Sequence, residues 1–255
     1  MTTAADAARA ATFDGVDAAT LAVRLGVPRV ELWHTLPSTQ DAAHEAAAAG
    51  APGGTIVLAD AQTAGRGRGG HQWASSAGAG VWLTMLARPT GMGAAPQLSL
   101  RIGLRVAEAL DALAHEMVRI KWPNDLYLRG GKVGGILVEA RWRDDRAEWV
   151  AAGLGLNVRV PHDVAGAASL PDGTSRVEVL ERVVPAIGQA LRSEGVLSAE
   201  EREAYAARDV ARGRRCRAPV PGCVVGIAAD GALIVRTEHG ERECRAGSLV
   251  FEEDS

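Results

Sequence analysis

Apolar positions recur at helical spacing from Leu98 to Met117, at Leu100, Leu104, Ala107, Leu110 and Leu113, and predict the longest helix of the chain. Earlier, Asp17 stands where it can cap a short helix over 18–25, which Gly26 and Pro28 would end. Val30-Glu-Leu-Trp-His34 alternates as a strand. Ser38 or Thr39 can then cap a helix running to Ala49, stopped by Gly50 and Pro52. The runs 55–59 and 81–87 read as buried strands, 119–139 as two strands around turns, and 147–151 as the start of another. Gly153-Leu-Gly-Leu-Asn157 reads as a strand end with little bulk at its glycines, as close approach of a ligand requires. Residues 161–175 hold Pro, Gly and small residues and predict a mobile loop, with helices following over 175–194 and 198–212. From Arg214 the pattern changes to short strands, with a turn at Asp230-Gly231, so a small β-barrel is expected beyond a boundary near 212.

Composition narrows the class. A chain of 255 residues, 47% hydrophobic and 23% charged, can build one large core or a main domain plus a small one. A net charge of −3 argues against a general nucleic-acid or membrane-surface binder. No apolar run approaches the ~20 residues of a membrane span, and the Ala-rich start, read as a disordered tail, lacks a signal pattern. Three cysteines without CxxC spacing predict free thiols in a reducing cytosol rather than a zinc site or disulfides. The expectation is a soluble cytoplasmic protein. The roughly 30 residues before the first main strand leave too little room for a helix-turn-helix bundle.

Candidate chemistry concentrates in two glycine-rich stretches. Of the 28 Lys and Arg residues only two are lysine, Lys121 and Lys132, and both fall within 119–139. Lysine offers a compact point charge where arginine offers a planar fork. Gly65-Arg-Gly-Arg-Gly-Gly70 formally matches a dinucleotide fingerprint, but it starts several residues after its strand and leads into His71-Gln-Trp73 rather than a helix. Its alternate glycines allow close backbone approach to an anion, and Arg66 and Arg68 supply charge; a plain surface loop is the competing reading. Lys121-Trp-Pro-Asn-Asp125 places a cation, an aromatic and two polar groups together, and Gly130-Gly-Lys-Val-Gly-Gly135 carries Lys132 at a bend. Two such loops are a usual way to hold a nucleotide phosphate.

These motifs, with Ser38-Thr39 before them and Gly153–Asn157 after, occur in an order that resembles the biotin–protein ligases (biotin–acetyl-CoA-carboxylase ligases), in the short form without a DNA-binding domain. The resemblance covers about 30–255. It implies an α+β fold: a catalytic domain over 30–212 with a mixed sheet and helices, like the class II synthetases and biotin ligases. A small SH3-like barrel over 213–255 would follow, with a tail and short helix over 1–29 before it. It implies formation of biotinyl-5′-AMP from biotin and ATP with Mg²⁺, then transfer to a lysine of a biotin carboxyl carrier domain. DNA and membranes would not be partners; a homodimer is admitted. Ser38, Thr39, Gln40 and Gln62 fall where the family contacts the biotin head group, and Gly135, Ile136, Leu137 and Gly153 where it lines the biotin tunnel. Arg66, Gly67 and Arg68 match the loop over the biotin–phosphate junction, and Lys132 the lysine beside the biotin carboxylate. Lys132, Arg68 and Lys121 are the candidate catalytic residues. Arg68, Trp73, Lys121, Asn124 and Asn157 are the candidate nucleotide contacts, and loop 161–175 would order over adenine.

Gln40 stands where the family usually has Asn, and His71 where a basic residue is common. Two rivals follow. A lipoate–protein ligase or octanoyltransferase would share the fold but lack the Arg66/Arg68 loop followed by Lys121–Asp125. A biotin-sensing repressor would need the helix-turn-helix for which the N-terminal stretch leaves no room.

Overall fold

The computed structural model describes residues 7–89, 97–161 and 164–253. Its centre is an eight-stranded sheet in the order β1 (Ala8–Arg9), β4 (Val30–Leu36), β5 (Ile56–Gln62), β6 (Gly80–Ala87), β10 (Arg146–Asn157), β9 (Gly131–Arg143), β8 (Asp125–Leu128), β7 (Arg119–Lys121). Strands β4 and β5 run parallel and every other pair is antiparallel. The sheet is therefore mixed, as an α+β fold requires. Segment 119–139 forms three strands rather than two, because a turn at 122–124 splits its first half. The N-terminal stretch also differs from a disordered tail, of which residues 1–6 lie outside the described set. Ala8–Arg9 adds to the edge of β4, and β2 (Thr12–Phe13) pairs with β3 (Val16–Asp17). Arg9 is held there by stacking on Trp33, 3.7 Å from the ring centroid, and by an ion pair with Glu31.

The helices divide between the two faces. Helix α1 (Ala18–Leu25), capped by Asp17 and closed by Gly26 at φ 64°, packs with α3 (Gln97–Ala114) and α4 (Arg176–Arg192) on one face. There Leu100, Leu104, Val106 and Leu110 bury against Ile136, Ala152, Leu154 and Leu156 of the sheet. This apolar face supplies most of the driving force for folding. Helix α2 (Thr39–Ala48), capped by Ser38, alone covers part of the opposite face over Val57, Ala59 and Ala151. The remainder of that face is floored by Gly135, Gly153 and Gly155, in register Gly135↔Gly155 and Leu137↔Gly153. A sheet face with glycines in place of side chains leaves a hollow.

After α4 and α5 (Ala199–Arg208), a second antiparallel sheet of five strands follows in the order β14 (Gly240–Cys244), β13 (Leu233–Thr237), β12 (Gly222–Ile227), β11 (Arg215–Ala218), β15 (Val250–Phe251). It is docked on the main sheet: Trp122 Nε1 donates to the Gly231 carbonyl at 3.0 Å, and Lys121 Nζ sits 4.7 Å from the Phe251 ring centroid. Cys216, Cys223 and Cys244 all lie in this sheet as free thiols. No helix among the described residues is long and apolar enough to cross a membrane.

The junction between the sheets contains a buried carboxyl. Asp209 Oδ1 accepts the Ala211 N–H at 2.8 Å, while Oδ2 and the neighbouring Tyr205 hydroxyl have no partner among the described residues. Burial pushes the Asp209 carboxyl up to about 6, against the pull of the Ala211 N–H and the Arg119 and Arg212 guanidinium groups. The native value lies above the ordinary 3.8, so the protonated form suits the fold. That stabilisation is whole below the unfolded pKa and is lost as pH rises through the folded one. Asp209→Asn, neutral and nearly isosteric, should raise Tm by several degrees at about pH 8 and by much less at about pH 5, as thermal melts at the two pH values would show.

Candidate active site

A cavity of about 300 Å³ occupies the glycine-floored hollow between α2, the sheet and the 65–73 loop. Its inner end is polar and closed by side chains that hold one another. Gln62 Oε1 accepts from Thr39 N at 2.8 Å and Thr39 Oγ1 at 3.1 Å, and Gln62 Nε2 donates to Ser75 Oγ at 2.7 Å. Thr84 Oγ1 bridges Thr39 Oγ1 at 3.0 Å and Gln40 Oε1 at 3.2 Å, and Gln40 Nε2 donates to the Ala151 carbonyl at 3.1 Å. Ser38, Thr39, Gln40 and Thr84 are all buried. Buried hydroxyls and amides linked this way present fixed donors and acceptors to a small polar group. Gly153 leaves room beside them: a Cβ there would lie 2.7 Å from Gln40 Oε1, so the Gln40 amide would have to shift.

The middle of the cavity is lined by the Trp73 ring and Leu137, while Leu83, Ile136 and Leu154 border it through their backbone, their side chains lying in the helix-covered core. Trp73 lies over the glycine floor. A Cβ on Gly155 would come within 2.6 Å of its indole and one on Gly135 within 3.1 Å, while its Nε1 is buried without a partner among the described residues.

The mouth is cationic. Lys132 Nζ pairs with Asp125 Oδ1 at 2.7 Å and stands 5.2 Å from the Trp73 ring centroid. Arg68 reaches in from the loop, its Nη1 3.4 Å from Asn124 Oδ1. Burial lowers its pKa, and only the Asp125 charge opposes this; no carboxylate among the described residues lies within ion-pair distance. A half-buried guanidinium without a counter-ion favours an anion beside it. Asn124 is fixed to β9, its Nδ2 donating to the Ile136 carbonyl at 2.8 Å and its carbonyl accepting the Ile136 N–H at 2.9 Å. Lys121 lines the mouth against Phe251 and Tyr127.

The 65–73 loop is more ordered than its glycines suggest. Gly67 N donates to His71 O at 2.8 Å and Trp73 N to Gly65 O at 2.9 Å, which makes a narrow hairpin with a 3₁₀ turn at Arg68–Gly70. Gly69 and Gly70, at φ 63° and 80°, provide the left-handed residues of that tip. The hairpin sends its arginines in different directions. Arg68 is at the tip facing Asn124, while Arg66 turns to Asp41 and Glu139, each 2.6 Å away. Burial works to lower the Arg66 pKa, but Glu139 and Asp41 outweigh it and hold it above its ordinary value.

Of the residues singled out in the sequence, Ser38, Thr39, Gln40, Gln62, Arg66, Gly67, Arg68, Trp73, Lys121, Asn124, Lys132, Gly135, Ile136, Leu137 and Gly153 all line this one cavity. Asn157 does not. It is buried below the site, where Nδ2 donates to the Ala168 carbonyl at 3.0 Å and its own carbonyl accepts the Leu170 N–H at 3.1 Å. Together with Lys132, whose N–H bonds Gly166 O and whose carbonyl accepts Ala168 N–H, it fastens residues 166–170, a described part of the stretch expected to be mobile. Sequence reasoning missed Thr84, and Ser248 and Leu249 from the second sheet, and placed Gly155 and Asp125 within its motifs without giving either a role of its own. Thr84 had a signal, as the one hydroxyl in the apolar run 81–87. Ser248 and Leu249 had none, because docking of the sheets brings them there.

A polar inner end and a cationic mouth suit the cavity to a small molecule that carries an anionic group. Residues 33–157 match the biotin/lipoate A/B protein ligase family. A biotin--[acetyl-CoA-carboxylase] ligase of Paracoccus denitrificans is 36% identical over 230 residues, covering 80% of this chain and 93% of that one. A bifunctional ligase/repressor of Bacillus subtilis is 44% identical over 130 residues, half of this chain, and the match covers 40% of that relative's length. A biotin protein ligase from Aquifex aeolicus, solved with biotin and ATP, superposes with a TM-score of 0.72 at 28% identity, over 86% of this chain and 97% of that one. The chain belongs to the biotin/lipoate A/B protein ligase family and, within it, to the biotin–protein ligases.

Proposed function

We propose that this chain joins biotin to ATP as biotinyl-5′-AMP, with release of pyrophosphate, and passes the biotinyl group to one lysine of a biotin carboxyl carrier domain in the cytoplasm. The observation that carries the reading is the graded cavity. Its hydrogen-bonded inner end suits a ureido head group, its waist an aliphatic chain, and its mouth a carboxylate brought against a phosphate. The family membership and the ligands named for the Aquifex aeolicus structure support the same substrates.

In this reading Ser38, Thr39, Gln40 and Gln62, with Thr84, orient the head group, and Gly153 leaves room for it. Lys132 neutralises the carboxylate and the α-phosphate as they approach, where charge develops on the bridging oxygens. Asp125 holds the ammonium in place until then. Arg68 supplies the second cation, Asn124 fixes the wall opposite it, and Lys121 supports the nucleotide side. The acceptor lysine needs no nucleophile from the chain, since AMP is the leaving group.

Asp125 is the one acidic residue lining the cavity, and among the described residues no group of three His, Cys, Asp or Glu side chains is placed to hold a metal. Mg²⁺ would therefore arrive on the ATP phosphates, as it does where a site offers one or two carboxylates. The five-stranded C-terminal sheet is read as an SH3-like barrel over 213–255, set beside a catalytic domain over 30–212 and a tail and short helix over 1–29. The test is to weigh a purified carrier domain after incubation with the chain, ATP and either biotin or lipoate.

A further inference from the structure

Arg66 ends a line of polar contacts that leads away from the cavity. Its Nη1 donates to Asp41 Oδ1 at 2.6 Å and Glu139 Oε2 at 3.1 Å, and its Nη2 to Glu139 Oε1 at 2.6 Å. Glu139 Oε2 is also 3.1 Å from His44 Nε2, and His44 Nδ1 is 2.9 Å from Trp149 Nε1. An indole nitrogen can only donate, so His44 Nδ1 accepts and carries no proton. The ring proton then sits on Nε2 and is given to Glu139. Trp149 is buried among Ala47, Ala51 and Leu86 and cannot easily turn away.

The fold brings these groups together for local reasons. His44 lies one helical turn after Gln40 on α2, so both project to the same side. Glu139 follows Leu137 by two residues on β9 and shares its face. Trp149 precedes Ala151 by two residues on β10 and pairs with Arg141 in register with Ala151↔Glu139, so alternation puts its indole on that face too, with Ala151 and Gly153. An isolated exposed ion pair would contribute little. Here one guanidinium is gripped by two carboxylates, one of them bidentate, and that carboxylate is oriented through a histidine by a buried donor.

We propose that Glu139, His44 and Trp149 are positioning residues which, with Asp41, hold Arg66 as the anchor of the 65–73 hairpin and so set where Arg68 meets the phosphate. Arg66 and Arg68 thus have separate duties: one fastens the base of the hairpin, the other serves its tip. The inference rests on the adenylate-forming reading for its consequence, and on geometry alone for the anchoring.

The test uses the full chain with Glu139→Gln, His44→Phe and Trp149→Phe, the last removing the indole N–H while keeping an aromatic ring. Without ligands, hydrogen exchange at the hairpin amides of Gly67 and Trp73 should rise about tenfold in each variant, with β5 and β6 unchanged. With biotin and ATP, adenylate should dissociate about tenfold faster, while its rate of formation changes much less. Glu139→Gln, at a half-buried position, keeps the test valid if the Trp149 variant loses its fold. Unaltered hairpin exchange in Glu139→Gln and His44→Phe overturns the anchor. A wild-type chain that forms no adenylate overturns the ligase reading instead and leaves the exchange result to decide the anchor.

Discussion

Lys132→Ala should form biotinyl-adenylate about 10²–10³-fold more slowly than the wild type, while its affinity for biotin should fall by a much smaller factor. The split follows from the site. In the proposed reading the head group is held at the far end of the cavity by Thr39, Gln40, Gln62 and Thr84, none of which hydrogen-bonds Lys132 among the described residues. In the same reading Lys132 acts at the mouth, where two anions would have to be brought together before they could react. In the free chain its ammonium is paired with Asp125 at 2.7 Å, so ground-state binding gains little from it. An interaction that strengthens as the transition state forms lowers the rate rather than the affinity when removed. Pyrophosphate release in single turnover, set beside biotin titration, separates the two. Equal losses in both would reduce Lys132 to a substrate-binding residue.

Arg68→Gly should still make the adenylate but let it go about 10–100-fold faster. The half-buried Arg68 guanidinium has Asn124 Oδ1 at 3.4 Å and no ion-pair partner among the described residues, with burial lowering its pKa. Bound phosphate would relieve that cost. Without the arginine, the anhydride would reach solvent and acylate exposed lysines of any protein present. Bystander lysines should then be labelled in proportion to the time the adenylate spends free, read by mass spectrometry of an unrelated protein in the same tube. A variant that retains its adenylate as long as the wild type would remove Arg68 from the clamp.

How much of this was legible in the sequence depended on whether the signal was local. The 18–25 helix could be read because its cap and stop lie within one stretch, and the 97–114 helix because its apolar period does. The motif residues were legible for another reason: glycine, lysine and asparagine at fixed spacing have few other uses together. What escaped depends on pairing across the chain. Residues 8–9 look like a tail, yet they become a strand because β4 has an open edge and Trp33 offers a face to Arg9. Asn157 ends the Gly153–Asn157 motif and reads as a ligand contact, but strand register carries it past the cavity to fasten Ala168 and Leu170. Arg66 and Arg68 look equivalent in Gly-Arg-Gly-Arg-Gly-Gly. Only the hairpin bonds, and carboxylates 25 and 73 residues away from Arg66, separate them.

The most direct measurement is the intact mass of a purified biotin carboxyl carrier domain after incubation with this chain and ATP, with biotin in one tube and lipoate in another. The expected result is one biotinyl group on one lysine in the first tube, dependent on ATP, and an unmodified carrier in the second. A carrier left unmodified with biotin, or modified only with lipoate, would contradict the biotin-ligase reading.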